Sequence, residues 1–370
     1  MISQSYGNDG DDSSALALLL SEAALSSSTT TVLKYGYVTL DSDAAIGMYT
    51  IDDDTGIWTA MTPASVSTGG GTPRDLVKHP TASFLYSADQ SGNSISMFQV
   101  ASDGQLTALS PATVTTSGSA PIAITMDAAG LFGYVGFNST SSIESYSVDQ
   151  ITGQWNYVSA LTGCGSARQL VVHPNGNFLY ALCSGSSQIR RHSITNGVLT
   201  FLGTDSSGGG QPNGLTLAAD GKYLYVTSQT NNVVSMYGVD SATGDLTALS
   251  PFSTATDGWA NEVVVDPTGQ FAFVNCWQSG AKTVRMYKVG SDGVLTDNSP
   301  NSVATGGSSP LNLYMEPTGR YLYVANSGSN NVNMYSMDSS TGLLTSNGLV
   351  STGNGPRGIA VVTEDVILGQ

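Results

Sequence analysis

One short aromatic pattern returns seven times along the chain, and it limits the possible fold more than any other feature. It reads Tyr35-Gly36-Tyr37-Val38, Phe84-Leu85-Tyr86-Ser87, Phe132-Gly133-Tyr134-Val135, Phe178-Leu179-Tyr180-Ala181, Tyr223-Leu224-Tyr225-Val226, Phe271-Ala272-Phe273-Val274 and Tyr321-Leu322-Tyr323-Val324. The third position is always aromatic, and successive copies lie 49, 48, 46, 45, 48 and 50 residues apart. Aromatic residues alternating with small or aliphatic ones fit a strand with two distinct faces. A Ser/Asn/Gly-rich turn and a second alternating strand follow, as in Ser96-Met97-Phe98-Gln99-Val100. A Thr-Gly hairpin signal (Thr55-Gly56, Thr152-Gly153, Thr243-Gly244, Thr341-Gly342) then leads to an outer strand. Glycine there supplies the positive φ that a tight hairpin needs.

A fourth element, opened by Pro or Ala at residues 73, 121, 167, 212, 260 and 310, precedes each later anchor, and a last copy runs from Pro356 to Thr363. Four strands at this period are the signature of a β-propeller blade. No segment after Leu33 sustains the 3.6-residue apolar period of a helical solenoid. The expected fold is therefore all-β: a single seven-bladed β-propeller over residues 34–370, four antiparallel strands per blade. The chain enters at strand two and ends on an unpartnered strand one, which predicts 3+1 closure by the C-terminal strand.

Residues 1–33 read as a flexible leader. Their apolar piece, Ala15 to Leu25, is interrupted by Glu22 and too short to span a bilayer. No Lys or Arg precedes it, unlike a standard signal peptide. A signal or lipoprotein leader upstream of Met1, with an extracytoplasmic location, is the sharper expectation. The 370 residues carry 12 Lys plus Arg against 28 Asp plus Glu, a formal charge of −16. Such a surface repels phosphate backbones and anionic membranes, so nucleic acid is excluded as a partner and no transmembrane segment is expected.

Candidate chemistry concentrates on one slot. The chain has seven Arg, and Arg74, Arg168 and Arg357 all directly follow the residue opening strand one, where the chain descends into a central funnel. The other blades place Ile122, Asn213, Asn261 and Leu311 there, and the next slot holds Asp75, Ala123, Gln169, Gly214, Glu262, Asn312 and Gly358. Guanidinium forks suit carboxylates and phosphates. The expected ligand-binding set is Arg74, Arg168, Arg357, Asn213, Asn261 and Asn312, with an architectural role for the arginines, tying blades together, as the alternative. Glu262 is the first candidate for a general base and Asp75 the second, although Asp75 could instead pair with an Arg.

His79 and His173 read as turn caps, and His192, after Arg190-Arg191, as part of a surface strand. Asp41-Ser42-Asp43 and Asp52-Asp53-Asp54 read as acidic turns rather than calcium loops. No metal site and no cofactor are expected. Cys164 and Cys183 fall at the same end of one predicted hairpin, so a disulfide is plausible there, with Cys276 left unpaired.

The repeats also resemble a known family. Pro-Arg-x-Leu/Ile-x-Val-x-Pro-x-Gly, aromatic-Leu-Tyr-Val-x-Asn, Val-x-Met-Tyr-x-hydrophobic-Asp and Thr-Gly-x-Leu look like the lactonase-type seven-bladed propellers. That family includes 6-phosphogluconolactonases and carboxymuconate cyclases. Tyr323-Val324-Ala325-Asn326 is similar to YVTN-type repeats. The family's enzymes place Pro-Arg-His and Asn-Glu-Leu segments near the funnel. Here the first becomes Pro73-Arg74-Asp75, Ala167-Arg168-Gln169 and Pro356-Arg357-Gly358, without the His. The second is read as Asn275-Cys276-Trp277 and Asn326-Ser327-Gly328, without the carboxylate. The expected function is therefore a monomeric, extracytoplasmic binding module for a small anionic ligand, a surface glycan or a protein. The alternative is a lactone-hydrolysing or lactone-forming enzyme acting on a small sugar acid or a carboxymuconate-type substrate.

Overall fold

Each aromatic anchor becomes the second strand of a four-stranded antiparallel sheet, because its side chains alternate between two packed faces. The computed structural model describes residues 29–278 and 282–367. Among the described residues, 28 strands form seven sheets of four. The innermost strands of blades two to seven are Pro73–Lys78, Pro121–Met126, Ala167–Val172, Pro212–Leu217, Ala260–Val265 and Pro310–Met315. In blade one the innermost strand is the C-terminal Pro356–Ile367, which pairs with Thr29–Leu40, and Ala45–Ile51 and Trp58–Ser67 follow outward. This is the 3+1 closure expected from the repeat count. Strand Thr29–Leu40 begins inside the segment read as a leader, whose first 28 residues lie outside the described residues.

The blades bury both faces against their neighbours. All seven anchor aromatics, Tyr37, Tyr86, Tyr134, Tyr180, Tyr225, Phe273 and Tyr323, are 0% exposed. The apolar clusters mix adjacent blades: Val38 and Trp58 of blade one pack with Tyr323 and Met334 of blade seven. Burying an aromatic or aliphatic side chain this completely contributes roughly 1.5–3 kcal/mol.

A repeated polar clasp adds direction to this packing. The hydroxyl of Tyr37 donates to the Gly104 carbonyl of the next blade at 2.7 Å. Tyr86 repeats this with Gly153 (3.0 Å), Tyr180 with Gly244 (3.2 Å) and Tyr225 with Gly293 (2.9 Å). Tyr323 of blade seven closes the ring on Gly56 of blade one at 3.2 Å. Each accepting glycine is the hairpin residue between strands three and four. Gly56, at φ +68°, lies so flat on the Tyr321 ring that a Cβ would enter it. The histidine turns work the same way on innermost-strand exits. His79 Nδ1 accepts from the Ala82 N–H at 3.0 Å while Nε2 reaches the Gly130 carbonyl of the next blade at 3.1 Å, and His173 does the same toward Gly221 at 3.2 Å.

The propeller comprises Leu33–Thr363 as one unit. The described residues outside it, 29–32 and 364–367, form a second small unit in which Thr31 Oγ1 donates to Asp365 at 2.6 Å.

Candidate functional site

Strand alternation alone would send consecutive slot residues to opposite faces of a sheet. The innermost strands avoid this with a register irregularity at the slot itself, between Pro73 and Asp75, Pro121 and Ala123, Ala167 and Gln169, Pro212 and Leu215, Ala260 and Val263, and Pro310 and Asn312. A bulge re-aims side chains. Both slot residues of a blade can therefore face the funnel.

The result is a cavity of about 330 Å³ lined by every slot residue singled out from the sequence: Arg74, Asp75, Arg168, Asn213, Asn261, Glu262, Asn312 and Arg357. Gln90, Asn138 and Gln169 join them. The arginines are not equivalent. Arg74 Nη1 and Arg357 Nε both donate to Asp41 Oδ2, at 2.6 and 2.5 Å, and Arg74 Nε also donates to Gln90 Oε1 at 2.5 Å. Burial and the charge of Arg357 pull the Arg74 pKa down, and Asp41 offsets part of this. Arg168 is exposed to the cavity and makes no hydrogen bond to any described residue. The surrounding walls lower its pKa, and Glu262 is the opposing charge that raises it.

The two carboxylates of the slot also differ. Glu262 is 9% exposed, and burial first, then the negative charge of Asp75, push its pKa up to about 8. Its Oε1 accepts from Gln169 Nε2 at 2.8 Å. Gln169 reaches it across blade five, where Gly214 has no side chain; a Cβ there would lie 2.6 Å from the Asn261 carbonyl. The same amide's Oε1 accepts from the Leu215 N–H at 2.7 Å, which locks its orientation. Asp75 is raised to about 6 by burial, but each of its oxygens accepts a backbone N–H, Leu76 at 2.9 Å and Ile124 of the next blade at 3.0 Å. The alternative role for Asp75, pairing with an arginine, is not taken; Asp41 fills it. Asp75 and Gln169 thus perform one structural task in two blades, each holding the strand-one amide of its neighbour.

The amides are partly committed. Asn261 Nδ2 donates to the Leu311 carbonyl at 2.5 Å and Asn213 Nδ2 to Gln229 Oε1 at 3.1 Å. Asp41, Gln90, Asn138 and Gln229 escape a reading confined to strand one. All four sit four residues after an anchor aromatic (Tyr37, Tyr86, Tyr134, Tyr225), so a second ring with its own period was there to be found.

Several expectations change. An Asn-Glu pair, Asn261-Glu262, does line the funnel, whereas Asn275-Cys276-Trp277 and Asn326-Ser327-Gly328 are not part of its wall. Asn275 instead supports it from behind, its Oδ1 accepting the Glu262 N–H at 2.6 Å. His192 is not on a surface strand. It is 1% exposed beside Phe201, and burial lowers its pKa to about 4. Its strand is a middle one, covered on both sides by neighbouring blades. Among the acidic turns, Asp53 pairs with Arg320 at 2.5 Å and Asp52 caps its own hairpin through the Thr55 N–H at 2.9 Å. Cys164 and Cys183 form a disulfide with a Cα–Cα distance of 5.1 Å, and Cys276 is a buried free thiol pushed up to about 11.

Comparison with known proteins agrees with this architecture. The family profile described as "Lactonase, 7-bladed beta-propeller" matches residues 32–113, 157–258 and 248–362. A 6-phosphogluconolactonase of Pectobacterium carotovorum is 22% identical over 341 residues, covering 89% of this chain and 85% of its own length. A 6-phosphogluconolactonase of Bacillus subtilis is 24% identical over 46% of this chain and 50% of its own. Among solved structures, the periplasmic gluconolactonase PpgL of Pseudomonas aeruginosa superposes with a TM-score of 0.75 at 18% identity, covering 89% of this chain and 99% of that one. The chain belongs to the seven-bladed β-propeller lactonase family.

Proposed function

We propose that the chain hydrolyses a small lactone bearing an anionic group, in the central cavity, with Glu262 as general base. The observation that carries this is the Glu262 carboxyl, buried in the cavity wall, raised to about 8 and fixed by Gln169 beside the uncommitted Arg168. A base with a pKa near the working pH is the useful one. Glu262 takes a proton from water as its oxygen bonds to the lactone carbonyl carbon. Arg168 faces the oxyanion that develops, where a fixed cation is worth most. Collapse of the tetrahedral intermediate breaks the ring C–O bond, and the proton held by Glu262 passes to the leaving ring oxygen. The free edges of Arg74 and Arg357 suit the substrate's anionic group.

The names of the family relatives, 6-phosphogluconolactonase and gluconolactonase, favour this enzymatic reading over a non-catalytic binding module. The disulfide supports an extracytoplasmic, oxidising location. The test is hydrolysis over a panel of lactones that carry a free carboxylate or phosphate, such as aldaric acid monolactones and phosphorylated aldonolactones, with neutral aldonolactones as controls and spontaneous opening subtracted. Turnover by the wild type and a loss of about 10²–10⁴-fold in Glu262→Gln are expected. A wild type that binds sugar acids yet opens no lactone would return the cavity to a binding role.

A further inference from the structure

Two of the three cavity arginines share a single acceptor oxygen, whose carboxylate cancels one of their two charges. Asp41 Oδ2 receives both Arg74 Nη1 and Arg357 Nε, and Asp41 itself is not part of the cavity wall. It stands behind the arginines, only 16% exposed. Its own placement is rigid. Asp41 begins the short turn Asp41–Asp43, and its N–H donates to the Gly355 carbonyl at 3.0 Å, two residues before Arg357. Asp43 fastens the same loop through the Asn354 N–H at 2.6 Å and the Asn354 side chain at 2.8 Å. The turn after the first strand therefore sets the position of the closing strand's arginine.

From this arrangement, which rests on the anionic-lactone reading above, we infer that Asp41 is a specificity-determining residue that tunes the cavity to a singly charged carboxylate and against a doubly charged phosphate monoester. Asp41 offsets one of the three guanidinium charges around the cavity, through Arg74 and Arg357, and Asp75 offsets a second when ionised. The net positive charge left is suited to a monoanion. A dianion would need the second charge that Asp41 removes. Asp41 also occupies Arg74 Nη1 and Arg357 Nε, which leaves fewer free donors for the several oxygens of a phosphate. Arg74 keeps Nη2 and Arg357 keeps its terminal nitrogens for a planar carboxylate, which needs fewer donors.

Asp41→Asn keeps the size and one acceptor oxygen while deleting the charge. A unit charge about 8 Å from the ligand at an effective dielectric of about 30 changes affinity roughly tenfold per ligand charge. The ratio of phosphate to carboxylate affinity is therefore expected to rise about tenfold. The matched probes are glucuronate and glucose 6-phosphate, hexoses that differ in the anion at C6, titrated by calorimetry at pH 8, where the phosphate is a dianion. The wild type should prefer glucuronate, and Asp41→Asn should shift toward glucose 6-phosphate; Asp41→Ala, checked for an intact thermal transition, should shift the same way. A wild-type preference for the phosphate, an unchanged ratio in both variants, or no binding of either sugar by the wild type overturns the assignment. Lactone turnover is read separately. Hydrolysis with an unchanged ratio would sink the role of Asp41 alone, and a shifted ratio without hydrolysis would sink only the enzymatic reading.

Discussion

Glu262 makes the cavity a liability to the fold at alkaline pH, and that liability can be measured without any substrate. Its carboxyl titrates at about 8 in the native protein against an ordinary value of 4.5. The native state thus holds the proton more tightly than the unfolded chain. The stabilisation from that held proton is fully present below about pH 4.5 and is lost as pH rises through about 8, at about 1.4 kcal/mol per unit between the two values. Between pH 5 and pH 8 this amounts to roughly 3.5 kcal/mol as an upper bound, since local relaxation and water reduce burial penalties. Glu262→Gln removes the titration but keeps the carbonyl that accepts from Gln169. At pH 5, where Glu262 is neutral in the native state, variant and wild type should melt within a degree or two of each other. At pH 8 the variant should be the more stable protein, by thermal unfolding and by the urea midpoint. Asp75 and Asp89, raised to about 6 and about 7, remain in both proteins and give a shared background slope. Parallel pH profiles for the two proteins, or a variant weaker at both pH values, would refute the buried, proton-holding Glu262 and with it the base proposed for hydrolysis.

Two further outcomes concern the ring itself. Tyr323→Phe deletes the hydroxyl that clasps Gly56 across the closure and should cost about 1 kcal/mol, while Gly56→Ala must fit a Cβ into the Tyr321 ring at positive φ and should cost more; equal costs in thermal denaturation would argue against the stacked geometry. Reduction of Cys164–Cys183, which closes a 19-residue separation, should lower stability by about 3 kcal/mol in the chain-entropy picture, seen as a lower melting temperature with two thiols newly open to alkylation.

The repeat was legible because every blade obeys the same local rules. An aromatic strand, a hairpin glycine and a Pro- or Ala-opened inner strand recur often enough that the count alone implies closure. The arginine slot was legible for the same reason, since a position shared by three blades must share a place in the ring. What stayed hidden depends on contacts that no local rule encodes. Asp41 lies 33 residues from Arg74 and 316 from Arg357, and only ring closure brings the last two together. Gln169 finds Glu262 93 residues away, across an intervening blade. Polar neighbours made His192 look superficial, but a middle strand of a blade has no solvent face. Asn261 and Glu262 were legible as slot residues of strand one, but the bulge that aims the carboxylate inward was not.

The tyrosine–glycine clasps place the weak points of the ring away from its covalent gap. The junction between blades seven and one carries the same hydroxyl-to-carbonyl bond as its siblings, while the two ends of the propeller chain meet inside blade one, where Pro356–Ile367 pairs with Thr29–Leu40. Two other junctions lack that bond: the buried hydroxyl of Tyr134 finds no partner among the described residues, and blade six offers Phe273, which has no hydroxyl. The junctions between blades three and four and between blades six and seven therefore each hold one tyrosine clasp fewer, although Asn298 Nδ2 donates to the Thr341 carbonyl across the second at 2.7 Å. The second of those gaps flanks Glu262, whose strand is tied to blade seven through Asn261 and the Leu311 carbonyl. Loosening there would let water reach the carboxyl that burial keeps protonated, so motion at a distant aromatic position and acidity at the centre of the funnel are linked quantities.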